Sequence, residues 1–401
     1  MTSHLRSRVR ACARQFEPDL VALRRDLHAH PEVGFEERRT TGVITERLRA
    51  AGLTVRLLEP TGLTCDIGTA GARGRIGLRA DIDALPIPEK TGLPYSSVRT
   101  GVSHACGHDL HTAIGVGAAL ILHQLEQDGD LPMGVRLIFQ PAEETQPGGA
   151  EHIMRQGVLD GLEQIFCLHC DPKVDVGLVG SKTGPITAAS DSIRVTVRAS
   201  GGHTSRPHLT GDIVFALGQV ITQTGAVLDR RIDARHGVNL TWGMVEAGFA
   251  PNAIPSEGFV HGTLRCLDAG TWDHAGLIAV DAIRHTLAPL GVEAQIDHVR
   301  GLPPVVNTPW QVVAIESAAR AVLGDDGVQA TEQSLGGEDF AWFLTRLPGA
   351  MLRLGTRSPG GESYDLHRGD AQFDEGAIAL GAQIMAMTAV TAAAMAPAAG
   401  R

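Results

Sequence analysis

Aromatic side chains make up only 4% of this 401-residue chain, too few to build stacking platforms for single-stranded nucleic acid. Lysine is almost missing. Lys90, Lys173 and Lys182 stand against 32 arginines, which reads as genomic composition and not as a guanidinium code. Positive charge is outweighed, 35 basic residues against 45 acidic, for a net charge of −10 at pH 7. Duplex DNA and anionic membrane surfaces are repelled by such a chain. Six cysteines are too few for a disulfide scaffold. No apolar run follows the N-terminal arginines Arg6, Arg8, Arg10 and Arg14, so no secretory signal is read there. Charge is also absent from Gly376 to Gly400. That stretch is rich in alanine, contains Gln383 and ends in Pro397 and Gly400, so a packed C-terminal helix with a loose tail is expected, not a membrane span. These absences point to a soluble, cytoplasmic protein in a reducing compartment, with neither nucleic acid nor membrane as a partner.

What remains is globular: 43% hydrophobic and 20% charged residues. At roughly 100–200 residues per domain, the length suggests two domains. Residues 17–50 read as an N-terminal helical region closed by Gly52. Residues 62–69 and 75–82 are strand-like, separated by a turn at Gly68, Gly71 and Gly74. A helix over 111–124 precedes a strand at 134–139, a helix at 148–157 and a strand at 163–168. This alternation predicts an α/β unit with a largely parallel sheet. Near residue 182 the character changes. Ile193, Val195 and Val197 alternate with polar residues, the mark of a half-exposed antiparallel strand. Helix 211–229, strands 237–245 and 257–266, helix 271–288 and strand 292–299 complete a β-α-β-β-α-β order, the ferredoxin-like arrangement. It occupies 185–298 as an insertion. Helix 309–323, strand 350–354 and a helix from 374 complete the first domain, assigned to 1–184 and 299–401.

Chemistry gathers at one structural position. Strand 75–80 ends in Asp81 and Asp83, strand 134–139 runs into Glu143 and Glu144, and strand 163–168 ends at His169. Strand 350–354 is followed by the loop holding His367. The loop before the 111–124 helix carries Cys106, His108, Asp109 and His111. Ligands of open α/β sheets bind beyond the carboxyl ends of the strands, so these residues are expected on one rim. Imidazoles, carboxylates and one thiolate suit Zn²⁺, Mn²⁺ or Co²⁺. The set exceeds one tetrahedral ion and suggests two, bridged by a shared ligand at about 3.5–4 Å. Glu143 and Glu144, on an extended segment, point apart, which divides metal ligation from base duty. Asp83 is a candidate to hold a ligating histidine. His111 reads as a satisfied core histidine, and Cys167 and Cys170 as buried thiols.

Other patterns fail on spacing. Gly180-Ser181-Lys182-Thr183 lacks the P-loop arrangement, and Gly101–Ala105 misses a nucleophile elbow by its last glycine. In the inserted domain, Gly201-Gly202-His203 forms a turn from which His203 can reach a site, including one in a partner subunit. Asn252 and Arg265 are candidates to hold a substrate carboxylate.

Arg79-Ala80-Asp81-Ile82-Asp83-Ala84-Leu85-Pro86, His104-Ala105-Cys106-Gly107-His108-Asp109 and Phe139-Gln140-Pro141-Ala142-Glu143-Glu144 together resemble the motifs of metal-dependent N-acyl amino acid amidohydrolases. Gly201-Gly202-His203, Gly337-Glu338-Asp339-Phe340 and the opening Arg25–Glu32 fit as well. This aminoacylase/carboxypeptidase-like group includes hippurate hydrolases and plant auxin-conjugate hydrolases. The resemblance implies an α/β di-metal hydrolase domain with a ferredoxin-like dimerisation and lid domain. It implies two divalent ions bound by Cys106, His108, Glu144, His169 and His367, with Glu143 as general base. Asp81 or Asp83 is the supporting aspartate, Asp83 being favoured, and His203 stabilises the oxyanion. The implied reaction cleaves the amide of a small-molecule N-acyl amino acid through a metal-activated water, in a homodimer formed through 185–298. A dipeptidase, a desuccinylase or an N-carbamoyl amino acid hydrolase shares the architecture. A non-catalytic metal- or peptide-binding protein is the alternative of another class. Two features depart from the pattern: Thr145-Gln146-Pro147 lengthens the turn after the glutamates, and Cys167 and Cys170 flank His169.

Overall fold

A computed structural model describes residues 3–70 and 74–395. Gly71 of the expected turn, and the expected loose tail with Pro397 and Gly400, lie outside the described residues. The chain divides into two compact units. The first comprises Met1–Gly184, Asn307–Glu332 and Trp342–Arg401, the second Pro185–Val306 and Gln333–Ala341.

The first unit opens with helices α1 (Ser3–Ala29) and α2 (Arg38–Ala50). The expected single helical region is thus two helices, and the first begins well before residue 17. Between them, Pro31 lacks an amide donor and Phe35 takes a left-handed φ of 64°. The arginine-rich start is helical because Val9 and Ala13 give it a buried face. Strands follow: β1 (Val55–Leu57), β2 (Leu63–Ile67), β3 (Arg75–Asp81), β4 (Val135–Gln140), β5 (Leu162–Asp175) and β6 (Val179–Ser181). Helices α3 (His108–Gln127) and α4 (Gly149–Met154) fall between them. After α7 (Pro309–Leu323) come β15 (Val328–Ala330), α8 (Phe340–Leu344), β16 (Gly349–Arg357) and α9 (Gly376–Met395), and the short strands β7 (Gly184–Pro185) and β14 (Val306–Asn307) pair with each other.

The sheet order is β1-β2-β4-β3-β5-β16-β6-β15. Its centre, β4-β3-β5-β16, is parallel. The flanking β1-β2, β2-β4 and β16-β6 pairs are antiparallel, so the sheet is mixed. The central strands carry near-continuous apolar runs because both faces are covered. Ile76, Leu78, Val135, Leu137, Phe139, Phe166 and Leu168 join one core with α1, α3, α7 and α9. Strand β5 does not stop near His169. It runs to Asp175 because β16 pairs with it as far as Arg357. Helix α9 is long and apolar enough to cross a membrane, yet 83% of its most apolar window is buried inside the protein. It is a core helix.

The second unit contains β8 (Ala189–Arg198), β9 (Gly202–His203), α5 (Ile213–Arg231), β10 (Asn239–Ala247), β11 (Ala253–Ile254), β12 (Glu257–Cys266), α6 (Ala269–Leu287) and β13 (Glu293–Leu302). Its four-stranded sheet has the order β10-β12-β8-β13 and is antiparallel throughout. That is the ferredoxin-like order for a β-α-β-β-α-β chain. Ile193, Val195 and Val197 turn inward onto α5 and α6. Asp191 is buried beneath the sheet and accepts from Trp272 Nε1 (2.8 Å), His298 Nε2 (2.7 Å) and Gly301 N (3.0 Å). The unit extends past residue 298 because β13 continues to Leu302. Residues 333–341 return to it, where Ser334 N donates to Ile186 O and Ala188 N to Gly336 O.

Candidate active site

The parallel strands deliver the site. β3 ends at Asp81, and Asp83 follows two residues on. β4 leads into Glu143 and Glu144, β5 carries His169, and the segment after β16 holds His367. Gly107, at a left-handed φ of 78°, starts α3, so His108 is its first residue. Five residues contribute donor atoms to two groups, each with its atoms within 4.8 Å of one another: Cys106, His108 and His169 in one, Cys106, Glu144 and His367 in the other. Cys106 belongs to both.

Each histidine is turned by what its other nitrogen does. His108 Nδ1 donates to Asp83 Oδ1 at 3.2 Å. Its Nε2 is buried without a hydrogen-bond partner. That atom faces Asp81 Oδ2 at 3.8 Å, Glu144 Oε1 at 3.9 Å and Glu143 Oε2 at 4.0 Å. His169 Nδ1 donates to Cys170 O at 2.8 Å, which directs Nε2 to Cys106 Sγ, 3.7 Å away. His367 takes a left-handed φ of 63°, and its Nε2 lies 3.0 Å from Glu144 Oε1. His111 is different. Its Nδ1 donates to Asp81 Oδ1 at 2.6 Å and its Nε2 accepts from Cys170 N at 2.8 Å, leaving no lone pair for an ion.

Sequence left Asp81 and Asp83 unseparated, and geometry distinguishes them. Asp83 bridges His108 and the Glu144 amide, which donates to its Oδ2 at 2.9 Å. Asp81 pairs with Arg79 Nη1 at 2.6 Å and with His111. Burial opposes its ionisation, but Arg79, His108 and His111 hold its carboxyl well below the usual range.

The glutamate pair is not on an extended segment. Ala142 takes a left-handed φ of 55° and starts a turn that aims both carboxylates at His108. Glu37 fixes that turn from 105 residues away: its carboxylate accepts from Ala142 N at 2.8 Å and from Thr61 Oγ1 at 2.6 Å. Sequence gave no signal for Glu37 in this role.

Electrostatics match a cation site. Burial, then Glu144, pushes the Cys106 thiol far up. Burial would depress the His108 imidazolium, but Asp81 and Asp83 raise it to about 10. Burial and then Arg353 hold His169 neutral. Cys106 and His108 must therefore release protons to ligate a cation, and a cation supplies the charge that the carboxylates lack. An orphaned imidazole nitrogen, a thiol and clustered carboxylates fit divalent ions of the zinc type.

The remaining candidates lie in the second unit. His203 is exposed on β9, paired in register with Ala253 of β11. Its Nδ1 accepts from Ser205 N (3.1 Å) and faces Ser205 Oγ (2.8 Å), which leaves the proton on Nε2 as a donor. Asn252 lies next to it in space, its carbonyl accepting from Thr204 N at 3.3 Å. Arg265 on β12 donates through Nη1 to Leu335 O at 2.6 Å.

Known proteins share this architecture. A Rhodococcus jostii protein named as a glutamate–cysteine ligase is 48% identical over 92% of this chain, and the chain spans 46% of that relative's length. An N-acetyl-L-cysteine deacetylase of Bacillus subtilis is 36% identical, over 90% of this chain and 85% of its own. A solved structure from Bacillus subtilis, described as a dinuclear metal binding peptidase from the M20 family, superposes with a TM-score of 0.79 at 32% identity, covering 94% of this chain and 98% of its own. Residues 77–391 match the family described as peptidase family M20/M25/M40, and the chain belongs to it.

Proposed function

We propose that this protein hydrolyses the amide bond of N-acyl amino acids, releasing a carboxylic acid and a free amino acid. The observation that carries the reading is the buried, orphaned His108 Nε2 facing three carboxylates, with Cys106 shared between two donor groups. Cys106, His108 and His169 would hold one divalent ion, and Cys106, Glu144 and His367 a second. Such ions polarise a carbonyl oxygen and make water nucleophilic at neutral pH.

The chain's own residues do the rest. Glu143, buried at the end of the Ala142 turn, takes the proton from the attacking water and delivers it to the leaving nitrogen. Asp83 accepts from His108 Nδ1 and so reserves Nε2 as the nitrogen that would ligate once the imidazolium has released its other proton. His203 donates from Nε2 to the developing oxyanion. Asn252 and Arg265 hold the substrate carboxylate.

The protein is proposed to act as a homodimer through residues 185–298. Support comes from exposed Val214, Phe215 and Ile221 on α5 and exposed Met244 and Val245 on the sheet-edge strand β10. Six free cysteines support a reducing, cytoplasmic setting. The test is amino-acid release from N-acetyl, N-benzoyl and long-chain N-acyl amino acids by chelated enzyme, before and after adding Zn²⁺, Mn²⁺ or Co²⁺. Metal-dependent release is expected; silence on every substrate with both ions bound overturns the reading.

A further inference from the structure

We propose that Arg353 is an anion-binding residue beside the metal centre, selecting substrates that carry a second carboxylate besides the one on the amino acid's α-carbon. The inference rests on the N-acyl amino acid reading above and names its substrate class more narrowly.

Arg353 stands on β16 in parallel register with His169 of β5 and in antiparallel register with Gly180 of β6. Register partners project to the same face of a sheet. Its neighbours Leu352 and Leu354 enter the hydrophobic core on the opposite face. The guanidinium therefore shares its face with a metal-ligand candidate. Only 8% of the residue is exposed.

Among the described residues, no acid, carbonyl or hydroxyl hydrogen-bonds to the Arg353 side chain. The other deeply buried arginines are paired: Arg24 Nε with Asp109 at 2.7 Å, and Arg79 Nη1 with Asp81 at 2.6 Å. A guanidinium largely withdrawn from water without a counter-charge is costly, and buried charges are as a rule paired. The missing partner is supplied from outside the chain. Glycine at 180 lets Thr331 pack close beside Arg353. A Cβ there would lie 3.4 Å from Arg353 Cβ, 2.8 Å from Thr331 Cβ and 3.2 Å from Thr331 Oγ1, so a hydroxyl borders the same space.

The ligand chemistry follows. A guanidinium fork matches a carboxylate bidentately. The α-carboxylate already has Asn252 and Arg265 in the proposed reading. A further carboxylate can come from a dicarboxylic acyl group or from an acidic amino-acid side chain, and both present the same group to Arg353.

The experiment measures kcat/KM for three substrates: N-acetyl-L-methionine, N-succinyl-L-methionine and N-acetyl-L-glutamate. Wild type is compared with Arg353→Met. Wild type should prefer one of the two dianions over the monoanion. That preference should fall about ten- to hundredfold in Arg353→Met, the effect of losing a charge-assisted pair. A fall confined to the succinyl substrate places the carboxylate on the acyl side, and one confined to the glutamate substrate places it on the amino-acid side. An unchanged preference on both arms overturns the proposal. If Arg353→Met does not fold, Arg353→Lys keeps the charge but not the fork, and should lose part of the preference. Calorimetric titration with succinate and glutarate separates this inference from the reading beneath it. If wild type hydrolyses nothing but binds a dicarboxylate that Arg353→Met does not, the function reading fails and the anion site stands. If wild type hydrolyses substrate and shows neither dianion preference nor dicarboxylate binding, the anion site fails alone.

Discussion

The two units hold their functional side chains in opposite ways. In the first, Cys106, His108, Glu143 and His169 are buried, and His108 and His169 are each fixed through their second nitrogen. In the second, His203 and Asn252 are exposed on short turns, and Arg265 is half-buried with a backbone carbonyl as its partner. His367 is the intermediate case, buried partners holding a side chain that remains 51% exposed. The groups proposed to hold a cation sit on the rigid sheet and its following helix, buried and pinned by hydrogen bonds. Those proposed to meet a variable substrate are more exposed and less constrained.

That contrast can be broken at several points. The largest effect is expected from Glu143→Gln. It should lower kcat by about a thousandfold or more while the metal count per chain stays near wild type. Loss of metal with loss of rate would make Glu143 a ligand instead. Next comes His203→Ala, expected to lower kcat about a hundredfold with metal content and thermal stability unchanged. An unchanged kcat would remove the exposed unit from the chemistry.

Asp83→Asn sharpens the comparison from the buried side. It should weaken metal affinity about ten- to hundredfold, read by competition with a chromophoric chelator, because the His108 tautomer is no longer enforced. Equal weakening by Asp81→Asn would erase the distinction between the two aspartates. The smallest effect concerns stability. Burial disfavours the His28 imidazolium, but Asp109 and Glu89 raise its pKa from 6.5 to about 9. The folded state therefore binds this proton more tightly than the unfolded state. The contribution is fully present below pH 6.5 and is lost as pH rises through about 9. Unfolding free energies of wild type and His28→Gln from urea titration should differ by about 1–2 kcal/mol at pH 6 and converge above pH 9.5. A gap that widens with pH would refute the assignment.

Much of this was legible in the chain. The spacing of apolar runs gave the alternating unit and the insertion because both periodicities are local. The ligand candidates were legible because they sit where strands end. Other features are products of tertiary placement. Asp81 and Asp83 differ in their partners, His111 and Arg79 for the one, His108 Nδ1 and the Glu144 amide for the other. Glu37 reaches Ala142 across 105 residues. Arg353 reads in sequence as one polar residue in a strand, and only its register beside His169 gives it meaning. The left-handed turn at Ala142 was hidden because alanine seldom adopts it.

Cys106 belongs to both donor groups, so the two metal positions are not independent. Under the proposed function, the first ion to bind would have to displace the proton of the shared sulfur, and the second would meet a thiolate. Filling of the centre would then be cooperative, with half-loaded protein scarce. The same arrangement would make one sulfur atom the common point of failure: a single alkylation or oxidation there would empty both positions at once.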